Sequence, residues 1–247
     1  MRKAFINFNI FIIIIFLLTN TTYSREVSGA SDVREISGEV VWTKDKSPYM
    51  ITDVLIIKPG ASLVVESGVE MLISEGKDIY VMGEIHLNGT TENPVILRQA
   101  QDSLRWGALC IEKASGSSLL SHVVIDGASF GKDSNLFRAA VSVRDSDITM
   151  YNVVFNNVFE GVYVNRGNAT IANCTFSGNN LGEQVSVKNG SATVENCFFY
   201  GTTGGDAIDF EGVSGGTIRD CVIFSSDDDG IDIGAFSSDS SIIATNV

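Results

Sequence analysis

Apolar and polar residues alternate in short runs along this chain, and the runs recur at a nearly constant distance. Four of them are Glu160-Gly-Val-Tyr-Val164, Glu183-Gln-Val-Ser-Val187, Asp206-Ala-Ile-Asp-Phe210 and Asp229-Gly-Ile-Asp-Ile233. Each begins 23 residues after the one before. A second set runs in phase with the first: Tyr151-Asn-Val-Val-Phe155, Ala172-Asn-Cys-Thr-Phe176, Glu195-Asn-Cys-Phe-Phe199 and Arg219-Asp-Cys-Val-Ile223, with steps of 21, 23 and 24. Ser121-His-Val-Val-Ile125 fits as an earlier member. Alternation of this kind predicts short strands with one buried face. A fixed period of this size predicts a solenoid, in which each repeat buries its apolar face only against its neighbours. Phe155, Phe176, Phe199 and Ile223 then form one interior stack, with Val153, Cys174, Cys197 and Cys221 beside it. Asn152, Asn173, Asn196 and Asp220 share a turn position, where asparagine tolerates the left-handed backbone. Short strands, Gly/Asn turns and no helical period predict an all-β parallel β-helix.

The N-terminal half carries the same grammar less regularly. Its strand-like pieces are Val41–Met50, Leu55–Val64, Gly68–Ile73, Ile79–Ile85, Asn88–Leu97 and Trp106–Ile111, broken by Pro-Gly and Gly-Val turns. This succession resembles the opening coils of right-handed parallel β-helix proteins exported by bacteria (the pectin lyase-like fold). The resemblance implies a right-handed coil. It also implies a choice among functions, because that architecture hosts pectate lyases, polygalacturonases, adhesins and plain surface modules. Lys132-Asp-Ser-Asn135 falls in the one 30-residue step, between His122 and Asn152, and predicts a protruding loop.

Residues 1–24 read as a secretory signal: Arg2 and Lys3, an apolar stretch from Ile10 to Leu18, and Thr22-Tyr-Ser24 as a cleavage site. The β-helix domain is expected over residues 25–247, placing the protein outside the cytoplasm: secreted, periplasmic or at the cell surface. No later stretch is apolar enough for a transmembrane segment. Ser241-Ile-Ile-Ala-Thr-Asn-Val247 reads as a further strand with no polar cap after it, as in a truncated solenoid or one covered at that end. Without Arg2 and Lys3, the 17 basic residues fall to 15 against 30 acidic ones, a formal charge of −15. Such a surface disfavours nucleic acid and favours cations or neutral partners. The stacked cysteines point in parallel and read as small buried hydrophobes rather than disulfides. His86 and His122 are isolated and make no zinc site.

The chemistry concentrates near the C-terminus. Gly204-Gly-Asp-Ala-Ile-Asp-Phe210 and Ser226-Asp-Asp-Asp-Gly-Ile-Asp-Ile-Gly234 resemble two catalytic blocks of polygalacturonase-type glycoside hydrolases. The resemblance implies Asp206, Asp228 and Asp229 as catalytic carboxylates, an acid and a base in an inverting reaction. The residues by themselves suggest another use. Asp209 and Asp232 are expected to face outward one coil apart, flanked by Asp206 and Asp229, with no nearby lysine in their own coils, and hard oxygen ligands on two rigid coils suit calcium. Arg219, between the two blocks, is a candidate substrate contact or base. Tyr163 heads the outward column continued by Ser186, Asp209 and Asp232 and is a candidate sugar-stacking residue. The expected function is an exported module that binds a polysaccharide or another cell-surface partner through this acidic face. The alternative is a calcium-dependent polysaccharide lyase or an inverting glycoside hydrolase acting on acidic glycans.

Overall fold

Like residues stack on like in register, and this repetition builds the molecule. The computed structural model describes residues 34–178, 181–234 and 241–247; the signal-peptide reading of residues 1–24 and the domain boundary at 25 lie outside them. Every strand pairing among the described residues is parallel. One sheet has nine strands, one from each successive coil. Its later members are Leu109–Glu112, Val141–Arg144, Val162–Asn165, Val185–Lys188, Ile208–Glu211 and Ile231–Ile233. Val141, Val162, Val185, Ile208 and Ile231 stand one above another. The rest of each coil supplies a second, 15-stranded sheet. The two enclose one apolar core that runs the length of the described chain. Among these residues no helix is long and apolar enough to cross a membrane.

Within the core Phe155, Phe176 and Phe199 form the expected stack, with ring centroids 4.6 and 4.8 Å apart and planes within 6°. Ile223 continues it in register. Cys174, Cys197 and Cys221 are buried free thiols, each donating to a backbone carbonyl two residues earlier at 3.3 Å. Trp42 stacks on Tyr49, and Trp106 is buried with its indole N–H on the Asp126 carbonyl at 2.8 Å.

The corners follow the turn residues. Asn152, Asn173, Asn196 and Asp220 all adopt left-handed φ, between 52° and 54°, and His122 joins them at 51°. A side-chain hydrogen bond links His122 to Asn152 across one coil, and Asn246 donates to Asp220 in the same way.

The 30-residue step is a loop, and it folds back rather than standing free. Lys132–Asn135 are exposed, but the Lys132 amide donates to Asp78 at 2.9 Å, and Phe137 lies 6 % exposed against Ala108 and Cys110. Gly131 crosses so close that a Cβ there would meet the Cys110 sulfur at 2.9 Å. Cys110 therefore points away from the core yet is fully buried, and its thiol is pushed well up by that burial.

Candidate functional site

The outer face of the nine-stranded sheet carries three parallel columns. Tyr163, Ser186, Asp209 and Asp232 run down the middle in register. Asn165, Lys188 and Glu211 flank them on one side. Glu160, Glu183, Asp206 and Asp229 flank them on the other, where the Gly161, Gln184 and Ala207 amides each donate to the backbone carbonyl of the acidic residue of the next coil.

Two residues of the middle column depart from expectation. Asp209 was expected to face outward free of lysine; it is 5 % exposed, ion-paired to Lys188 at 2.8 Å and accepts from Ser186 Oγ at 3.1 Å. The lysine comes from the coil below, because a long side chain spans the ~4.8 Å between parallel strands. Tyr163 was expected to offer its ring to a ligand. It is 6 % exposed, covered by the Arg138 guanidinium 5.6 Å from its centroid, and its hydroxyl accepts from Asn165. Asp232 is exposed, as expected. Arg219 belongs to the other sheet, on strand Gly215–Arg219, where it pairs with Glu195. It is not brought to the acidic face.

Asp206, Asp228 and Asp229 do come together. Each offers a carboxylate oxygen within 4.8 Å of the others, a grouping found nowhere else among the described residues. The turn holds them there: Asp229 N–H donates to Asp206 Oδ1 at 2.8 Å, Ser226 Oγ donates to the Asp229 carbonyl at 2.9 Å, and Asp227 accepts from the Gly204 amide. Asp206 is half-buried, and burial raises its pKa. The charges of Asp228, Asp232 and Asp209 push the same way, against the Asp229 amide.

The structure adds groups that sequence reasoning did not place here. Arg138 reaches from the end of the loop to Glu160 at 3.4 Å and Glu183 at 3.3 Å. Glu160 is pushed up to about 7, first by burial and further by Glu183, with Arg138 working against both. Its Oε2 is buried with no hydrogen-bond partner. Burial disfavours the charge on both Arg138 and Lys188, yet their carboxylate partners outweigh it and hold both above their usual pKa. The missed signal for Lys188 was the column itself, which sets a lysine one period before Glu211. Arg138 was hidden by the loop, which breaks the repeat count just ahead of Val141.

A family model described as the right handed beta helix region matches residues 139–247. Its repeats are right-handed β-helix repeats. No curated protein and no solved structure matches the chain.

Chemically the face divides in two. Around Tyr163 and Lys188 the charges are paired and the floor is filled by its own walls. Around Asp206 three carboxylates converge, and among the described residues no lysine or arginine is ion-paired to them. An inverting acid and base hold their carboxyl groups ~6.5–9.5 Å apart to admit a water, whereas here one oxygen of each carboxylate converges on a common point. Oxygen ligands ~2.3–2.6 Å from one calcium ion lie within ~5 Å of one another, which these three match. An elimination base must lose its proton at working pH, and Arg138 and Lys188 are both held in the protonated state.

Proposed function

We propose that the protein is an exported module that binds an acidic polysaccharide, or another anionic cell-surface component, through the Asp206 end of this face, with calcium as the bridge. The observation that carries the reading is the convergence of Asp206, Asp228 and Asp229 within 4.8 Å on a solvent-facing turn. Carboxylates on both the protein and the polymer repel unless a cation is shared between them. Calcium suits that task because it accepts six to eight oxygen ligands in flexible geometry and leaves positions open for sugar oxygens.

One observation favours a second reading, a lyase or hydrolase of acidic glycans. Glu160 titrates near neutrality on the same face, as a general acid or base would. Its free oxygen is buried rather than open to a ligand, so binding remains the preferred reading.

The test is titration of the chain with polygalacturonate and with alginate, in calcium and in EDTA, following heat release and new products. Saturable binding that needs calcium and is lost in Asp228→Asn supports the module. Calcium-dependent unsaturated products would make it a lyase, and new reducing ends without unsaturation a hydrolase. No binding to either polymer in calcium would sink the proposal for these glycans.

A further inference from the structure

The loop between Gly127 and Ala140 also divides the outer face of the nine-stranded sheet. On its C-terminal side lies the acidic row. On its N-terminal side lies a cleft of about 650 Å³. The floor is Val54, Ile56 and Tyr80, all half-buried, with Phe137 as the wall. Ile56 and Tyr80 are successive members of the outward column, so the apolar surface faces solvent and not the core. The rim is the exposed loop segment Lys132–Asn135.

The cleft is held open by fixed groups. Tyr80 meets Phe137 edge-on at 5.6 Å, and its hydroxyl donates to Glu112, which Arg144 grips at 2.8 Å. Asp78 ties the loop down by accepting from the Lys132 amide with one oxygen and from the Ala108 amide with the other. The Leu136 and Phe137 amides both donate to the Asp133 carbonyl, closing the loop's own turn.

The lining selects a class of ligand. Clefts of a few hundred Å³, mostly apolar with a few polar groups at the edge, are the usual form of a small-ligand site. An apolar floor with a hydroxyl- and amide-bearing rim matches a sugar ring, whose C–H face is apolar and whose hydroxyls radiate from its edge. Asp78 and Asp133 outnumber Lys132 in the lining, so the cleft offers hydrogen bonds and does not favour an anionic sugar. We propose that this cleft binds a single neutral pyranose ring of a glycan, independently of calcium and of the acidic face.

The experiment is an amide NMR titration of the chain in EDTA with cellohexaose, xylohexaose, mannohexaose and maltohexaose in turn. At least one should shift the resonances of Tyr80, Ser134 and Asn135 while leaving those of Asp206 and Asp229 unmoved. Ser134→Trp, which fills the cleft from an exposed position, should weaken that binding about tenfold or more with an unchanged melting temperature. Asn135→Ala, which removes a rim amide, should weaken it less, and it keeps the test open if the tryptophan variant misfolds. The proposal is overturned by no shift with any of the four sugars, by shifts confined to the acidic face, or by unaltered affinity in both variants. Because the titration excludes calcium, failure of the calcium-bridge reading leaves its result untouched.

Discussion

The backbone amide of Asp229 donates a 2.8 Å hydrogen bond to the carboxylate of Asp206 in the coil below. It is the one local contact that favours the charged form of Asp206, and it is outweighed. Burial and three neighbouring carboxylates raise the pKa of that group, so folding at neutral pH forces together charges that repel.

Asp206→Asn is therefore expected to raise the melting temperature in EDTA at pH 7. The amide oxygen can still accept from Asp229 N–H while one of the crowded charges is gone. A folded pKa above the unfolded one means that the wild-type carboxyl is best tolerated below its ordinary value and becomes a liability as pH rises. The same variant should abolish the rise in melting temperature that calcium produces in the wild type. Thermal scans with and without calcium decide it, and a lower melting temperature for Asp206→Asn in EDTA would count against the account.

Glu160 carries a larger pH signature. Its folded pKa of about 7 lies above its ordinary 4.5. The favourable contribution of the protonated form is complete below pH 4.5 and is lost as pH rises through 7. Glu160→Gln should match the wild type at pH 4 and exceed it at pH 8, by up to about 3 kcal/mol. Urea unfolding at the two pH values measures this, and equal gaps at both would disprove the shift.

Phe176 sits between Phe155 and Phe199 in the ring stack. Phe176→Ala leaves a cavity bounded by two rings that cannot close on each other while their strands stay in register. The expected loss is about 3–5 kcal/mol in equilibrium unfolding. A cost below about 1 kcal/mol would mean that the coils collapse around the gap.

Asn173 holds φ at 54°. Asn173→Gly should be nearly neutral, since glycine adopts that backbone freely, while Asn173→Val should destabilise by about 1–2 kcal/mol. Reversal of that order in thermal scans would remove the backbone as the reason for asparagine at this corner.

Much of the fold was legible in the residues because a solenoid repeats its instructions. Val153, Cys174, Cys197 and Cys221 could be laid over one another from spacing alone, and the asparagine corners followed from one residue type at one phase. The site was legible only in outline. Spacing placed Glu160, Glu183, Asp206 and Asp229 in one column, but alternation says only which way a side chain leaves the strand. It does not say what leans over it. Asp209 and Tyr163 leave outward as expected, and both are then covered, by Lys188 and by Arg138. Those covering contacts depend on side-chain reach between coils and on where an irregular loop returns, and neither has a period to read.

That irregular loop has one more consequence. The chain leaves the stack after Ser129 and re-enters by Val141, still opposite Leu109, so the detour shifts no later strand. Lengthening such a detour adds little closure entropy. The exposed tip at Ser134 and Asn135 is thus a natural grafting point, where foreign segments of varied length could be displayed while the packed ends of the loop and the coils on either side keep their alignment. The scaffold resembles a rack with one interchangeable fitting, and new recognition could be built there without redesigning the core.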